Sequence, residues 1–86
     1  MRGWSMESKP IIVYGAPWCG DCHRSRRLLE AYEVSFQWID IDERPEFQEV
    51  VRSYNSGKQL IPTLVFDDGT VLSEPTDAQL KAKLGV

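Results

Sequence analysis

Cys19-Gly20-Asp21-Cys22 holds both cysteines of the chain, at the spacing that dithiol redox chemistry uses. The thiolate is the nucleophile in such chemistry. The first turn of a helix favours it, because unpaired N–H groups and a partial positive charge gather there. Ahead of the pair, Ile11-Ile12-Val13-Tyr14 reads as a strand, and Gly15-Ala16-Pro17-Trp18 leads from it into a helix opening near Gly20. Cys19 is therefore expected as the attacking thiol, with its pKa lowered towards neutrality. Cys22 lies three residues on, on the same helical face, and is expected as the resolving thiol. Asp21 opposes a thiolate, whereas Arg24, Arg26 and Arg27 favour one.

Other chemistries use the same residues. Two cysteines can form a structural disulfide, or half of a zinc site, which would need a second ligand pair. His23, the only histidine, completes a Cys-x-x-Cys-His string of the kind that attaches haem. That reading needs export and an axial ligand. The strand–turn–helix setting favours the redox reading over all three.

The elements that must position this pair follow from patterning. Ile11 to Tyr14 is a continuous apolar run suited to a strand buried on both sides. A helix from about Gly20 to Glu33 would bury Cys22, Leu28, Leu29 and Tyr32. From Val34 to Ile41 the residues Val34, Phe36 and Trp38 alternate with Ile39 and Ile41, as in a second strand. Pro45 suits a helix start, and Phe47, Val50, Val51 and Tyr54 repeat at helical spacing until Asn55-Ser56-Gly57. Thr63 to Phe66 and Thr70 to Leu72 read as strands joined at Asp68-Gly69. Thr76 to Gln79 has the form of a capping box for a last helix carrying Leu80 and Leu84 inward. The order β-α-β-α-β-β-α predicts an α/β fold: a mixed four-stranded sheet flanked by three helices. Sites in open α/β sheets form beyond the carboxyl ends of strands, where Cys19 falls.

With 86 residues and 42% hydrophobic residues, one globular domain is expected over 11–86, preceded by a loose extension over 1–10. No apolar run approaches bilayer-spanning length, and the leader has no apolar stretch. A reducing cytoplasm is the expected compartment, where paired cysteines are more often catalytic than structural. The net charge of −3 does not indicate nucleic-acid binding. Acidic residues gather from Asp40 to Glu49, while the helix after Cys22 is locally basic. That basic rim would suit a thiol bearing carboxylates.

Trp18-Cys19-Gly20-Asp21-Cys22, Leu60-Ile61-Pro62-Thr63 and Asp68-Gly69 ahead of a capped last helix together resemble the glutaredoxin branch of the thioredoxin superfamily. Arg24, Arg26 and the ending Lys81-Ala82-Lys83-Leu84 make the chain most similar to the actinobacterial mycoredoxins. The likeness runs from about Ile11 to Leu84. It implies a thioredoxin fold with a cis Ile61–Pro62 bond facing the cysteines, where the Ile61 backbone could pair with an extended substrate. It also implies substrate contacts from Trp18, Gly20, Asp21 and Arg24, from Ile61 and Pro62, and from Lys58, Thr76 and Asp77.

The implied activity is a monomeric enzyme reducing protein mixed disulfides, with no bound cofactor. Its co-substrate is a low-molecular-weight thiol: mycothiol first, with glutathione or bacillithiol as alternatives. A flavin disulfide reductase is a further implied partner. Asp21 stands where glutathione-using relatives commonly have tyrosine, and no proline separates the cysteines. Ala16 or Pro17 replaces a lysine and Ser73-Glu74 replaces a Gly-Gly turn; these departures point away from glutathione, while Gln59, beside Lys58, replaces a basic residue that mycoredoxins can carry and so departs from their thiol contacts too. Two rival readings remain. One is a thioredoxin-like donor to a protein disulfide, such as that of ribonucleotide reductase or a peroxidase. The other is a non-enzymatic metal or iron–sulfur module, against which the second cysteine argues.

Overall fold

Hydrophobic alternation along the first strand divides the molecule. In the computed structural model, which describes residues 10–86, β1 spans Ile11–Gly15. Ile11 and Val13 point to one face of the sheet, Ile12 and Tyr14 to the other. The extension expected over 1–10 lies, apart from Pro10, outside the described residues.

After β1 come α1 (Gly20–Ala31), β2 (Phe36–Asp40), α2 (Glu46–Tyr54), β3 (Thr63–Val65), β4 (Val71–Ser73) and α3 (Asp77–Leu84). The sheet order is β2-β1-β3-β4. β1 runs parallel to β2 and antiparallel to β3, and β4 returns antiparallel to β3. The order and mixed sheet expected from the sequence are both present.

On one face Ile11, Val13 and Leu64 pack with Leu28 and Leu29 of α1 and Leu80 of α3, with Phe36 and Trp38 alongside. On the other, Tyr14, Ile39 and Ile41 pack against Val51 of α2, with Phe47 and Val50 alongside. Leu29, Val51 and Leu80 are completely buried, and each such side chain contributes roughly 1.5–3 kcal/mol of transfer free energy. Burial, with Tyr54 adding, pushes the Tyr14 phenol above its ordinary pKa.

Helix α1 departs from the expected pattern at both the middle and the end. Ser25, not Tyr32, shares the buried face with Cys22, Leu28 and Leu29. Tyr32 is 44% exposed, because the helix stops before it. Val34 N–H donates to Leu29 O at 2.9 Å and Glu33 N–H to Glu30 O at 3.0 Å, while Glu33 takes a φ of 57°. This paired closure with a left-handed residue ends a helix and turns its next side chain outwards.

The β3–β4 connection is also longer than a two-residue Asp-Gly turn. Phe66 N–H reaches Thr70 O at 2.9 Å and Gly69 N–H reaches Phe66 O at 3.0 Å. Gly69 has a φ of 88°, the three-residue loop that closes on a left-handed glycine. Lys83 of α3 then clasps this turn, donating to Asp68 at 2.6 Å and to Thr70 Oγ1 at 3.1 Å. The capping box opening α3 is present: Gln79 N–H donates to Thr76 Oγ1 at 3.1 Å, and Thr76 N–H to Gln79 Oε1 at 2.8 Å.

Candidate functional site

The chain leaves β1 at Gly15 and turns through Ala16, whose carbonyl accepts the Cys19 N–H at 3.1 Å. Cys19 then occupies the N-cap of α1 with extended backbone angles (φ −87°, ψ 109°). Caps are ordinarily serine, threonine, aspartate or asparagine, whose oxygen takes a free N–H of the first turn. Here the cap atom is sulfur: Cys22 N–H donates to Cys19 Sγ at 3.1 Å. The two sulfurs are joined as a disulfide, with the Cα atoms 5.2 Å apart. Cys22 is wholly buried, whereas Cys19 keeps 7% of its surface. An incoming reagent therefore meets Cys19.

Facing Cys19 is the segment before β3. The Ile61–Pro62 bond is cis, and the Ile61 carbonyl oxygen lies 4.0 Å from Cys19 Sγ. The implied bond isomer and its facing of the cysteines are thus both observed. A polar network holds this segment. Glu74 N–H donates to Pro62 O at 2.8 Å, and Thr63 Oγ1 to Leu60 O at 2.6 Å. Asn55 Nδ2 donates to Val51 O at 2.7 Å and to Thr63 Oγ1 at 3.1 Å, and Ser73 Oγ donates to Asn55 Oδ1. One side chain at the end of α2 therefore ties together α2, β3 and β4.

The family model for glutaredoxin matches residues 11–71. The chain belongs to the glutaredoxin family. This glutaredoxin is 34% identical to a Mycobacterium tuberculosis protein assigned to the glutaredoxins, over 92% of the chain and 94% of that relative. It is 32% identical to Mycoredoxin 1 of Corynebacterium glutamicum, over 86% and 91% of the two chains. Among solved structures, a glutaredoxin from Archaeoglobus fulgidus superposes with a TM-score of 0.76 at 26% identity, covering 98% of this chain and 95% of that one. The protein is accordingly a glutaredoxin-type thiol-disulfide oxidoreductase with a Cys19–Cys22 pair.

The remaining residues expected at the site of this glutaredoxin fall into three groups. Asp21, Arg24 and Asp77 are brought together: Arg24 Nη1 lies 3.2 Å from Asp21 Oδ1, and Arg24 Nε lies 3.3 Å from Asp77 Oδ1. Trp18 stands 71% exposed beside Cys19, with its indole N–H donating to Asp42 Oδ2 at 2.6 Å. Thr76, Gly20 and Lys58 are less directly involved. The Thr76 hydroxyl is engaged as a helix cap, and a Cβ on Gly20 would meet nothing within 4 Å. Lys58 is exposed on the loop after α2, where its backbone N–H donates to Asn55 O at 3.1 Å.

Two of the three arginines that make α1 locally basic are engaged by neighbours. Arg24 is held by two carboxylates, and the Arg26 guanidinium stacks 4.2 Å over the Trp38 ring. His23 is also engaged, with Nε2 2.6 Å from Pro17 O as the donor to that carbonyl.

Gly15, Trp38, Asp42, Asn55 and Ser73 are the site residues that patterning did not single out. Gly15 carried a usable signal. A glycine ending a buried strand marks close approach, and a Cβ there would fall 2.7 Å from Cys22 Sγ and from the Trp38 ring. The other four are linked only through contacts made in three dimensions.

Proposed function

We propose that this enzyme reduces mixed disulfides between proteins and mycothiol, with Cys19 as nucleophile and Cys22 as resolving thiol. The observation that carries the reading is the Cys19 sulfur acting as the cap of α1. A thiolate there accepts the Cys22 N–H and meets the positive end of the helix dipole, so that the charged form is favoured. The likeness to Mycoredoxin 1 supports mycothiol over glutathione and bacillithiol.

In the first step the Cys19 thiolate attacks the mycothiol sulfur of the mixed disulfide. A Cys19–mycothiol disulfide forms, the protein–mycothiol bond breaks, and the protein thiolate leaves and takes a proton from water. A second mycothiol, as thiolate, then attacks the bound mycothiol sulfur, releasing the symmetrical mycothiol disulfide and Cys19. Alternatively Cys22 attacks Cys19 Sγ, expels mycothiol and closes the disulfide seen here; a dithiol or flavin disulfide reductase then supplies two electrons to reopen it. The Ile61 backbone lines the approach to Cys19, with Trp18 beside it as an apolar contact. The enzyme acts as a cytoplasmic monomer in this reading.

A second reading, electron donation to a protein disulfide such as that of ribonucleotide reductase or a peroxidase, is favoured by the exposure of Trp18 beside Cys19. It requires both cysteines. One carrier protein loaded in turn with mycothiol, glutathione and bacillithiol separates the two, using wild type and Cys22→Ser. Turnover confined to the mycothiol adduct and kept by Cys22→Ser supports the first. Failure on every adduct, with reduction of a plain protein disulfide, overturns it in favour of the second.

A further inference from the structure

We infer that Ser25 is a positioning residue for Cys22: its buried hydroxyl donates to the Cys22 sulfur once the disulfide opens, and so favours the dithiol. The inference rests on the cysteine pair itself and holds whichever small thiol or protein disulfide the enzyme serves.

Ser25 stands out by residue type. It lies in the buried stripe of α1 with Cys22, Leu28 and Leu29, and only 1% of its surface is exposed. A serine inside a helix ordinarily faces water or bonds a carbonyl of the preceding turn. Ser25 does neither. Among the described residues, its Oγ is the buried side-chain polar atom left without a hydrogen-bond partner. Leaving a buried hydroxyl unbonded is unfavourable, and an alanine would occupy the same place without that cost.

The side chain one turn back is Cys22. Residues three apart on a helix are neighbours, and helical side chains lean towards the N-terminus. The Ser25 hydroxyl therefore lies over the turn that carries Cys22. In the oxidised protein Cys22 Sγ is drawn towards Cys19 by the disulfide. Its other surroundings are the bare backbone of Gly15, Ala16 and the Trp38 ring, an apolar setting that disfavours a thiolate.

Reduction by a dithiol breaks the Cys19–Cys22 bond while the dithiol closes as its own disulfide. The two electrons pass to Cys19 and Cys22, and the protons of the dithiol go to these sulfurs or to water. Cys22 Sγ can then turn about its Cα–Cβ bond to meet the Ser25 hydroxyl. The bond to a thiol sulfur is weak and the bond to a thiolate is stronger. The same contact thus eases the loss of the proton from Cys22 before it attacks Cys19.

The test compares wild type, Ser25→Ala and Ser25→Thr, each equilibrated with reduced and oxidised dithiothreitol. In Ser25→Ala the ratio of dithiol to disulfide enzyme is expected to fall about three- to tenfold. Urea denaturation should show oxidised Ser25→Ala at least as stable as wild type and the reduced form less stable. A merely structural serine would change both forms alike and leave the ratio unmoved. Ser25→Thr keeps the hydroxyl and should hold the ratio close to wild type. An unchanged ratio in Ser25→Ala would overturn the inference, as would a Ser25→Thr ratio equal to that of Ser25→Ala, which would assign the effect to packing. Either result leaves the oxidoreductase reading intact.

Discussion

Gly15 and Cys22 are in contact so close that glycine is required: a Cβ at Gly15 would lie 2.7 Å from Cys22 Sγ, with the Trp38 ring at the same distance. The sulfur that completes the disulfide is thus packed against bare backbone at the end of the strand that delivers it. Gly15→Ala is expected to cost the oxidised protein about 1–3 kcal/mol, the range for an added methyl in a filled core. The reduced protein should lose less, because its Cys22 side chain is free to rotate. Urea denaturation of both redox forms measures the difference; equal losses would show that the clash is with Trp38 alone.

Asn55 is expected to matter to activity although it lies away from the sulfurs. Asn55→Ala leaves Ser73 Oγ without its acceptor and Val51 O without its side-chain donor. Partly buried groups left in this way cost roughly 1–3 kcal/mol. Because the same amide steadies Thr63, next to the cis proline, kcat/KM should fall beyond what the loss of folded protein explains. Chemical denaturation and turnover measured on one preparation check both parts.

The indole of Trp18 should be held in place by Asp42. Removing the carboxylate in Asp42→Ala leaves stability within about 1 kcal/mol of wild type, because the hydrogen bond is exposed. KM for a folded protein disulfide should rise, while turnover of a small disulfide, which has no need of that platform, stays constant. Steady-state kinetics on the two substrates would refute this if both changed together.

Asp68 predicts an acid-sensitive clasp. The Lys83 side chain, then Thr70, hold its carboxyl below the usual carboxylate range. A folded-state pKa below the unfolded one gives stability that is fully present above the unfolded value, about 3.9, and lost as pH falls through the folded value. Thermal melts of wild type and Asp68→Asn should therefore differ at pH 7, and the difference should narrow as pH is lowered from about 5 towards 2. A gap that did not narrow over that range would show that the carboxyl is not the origin.

How much of this was legible in the chain depends on the range of the determining contact. The pairing of Cys19 with Cys22, the capping box at Thr76 and Gln79, and the order of strands and helices rest on neighbours within a turn or a pleat, and all are present. Apolar spacing continues past Ala31 to Tyr32, whereas the helix stops where Glu33 adopts a left-handed backbone. Nothing in a glutamate announces that. The engagement of Arg24 is not legible in the basic stretch after Cys22, because Asp77, distant in sequence, reaches it only once α3 has docked. Ser73 and Asn55 meet for the same reason, across a strand pairing.

The sulfur cap on α1 has a thermodynamic consequence. In the disulfide, Cys22 N–H donates to a neutral and weakly accepting sulfur. After reduction the same N–H faces a thiolate, and hydrogen bonds to charged acceptors are the stronger ones. The cap therefore favours the dithiol, and whatever favours the dithiol raises the reduction potential, by about 30 mV for each 1.4 kcal/mol. The first turn of α1 is in this sense an electrochemical element, and substitutions that strengthen or weaken it would retune the enzyme as an oxidant without touching either cysteine.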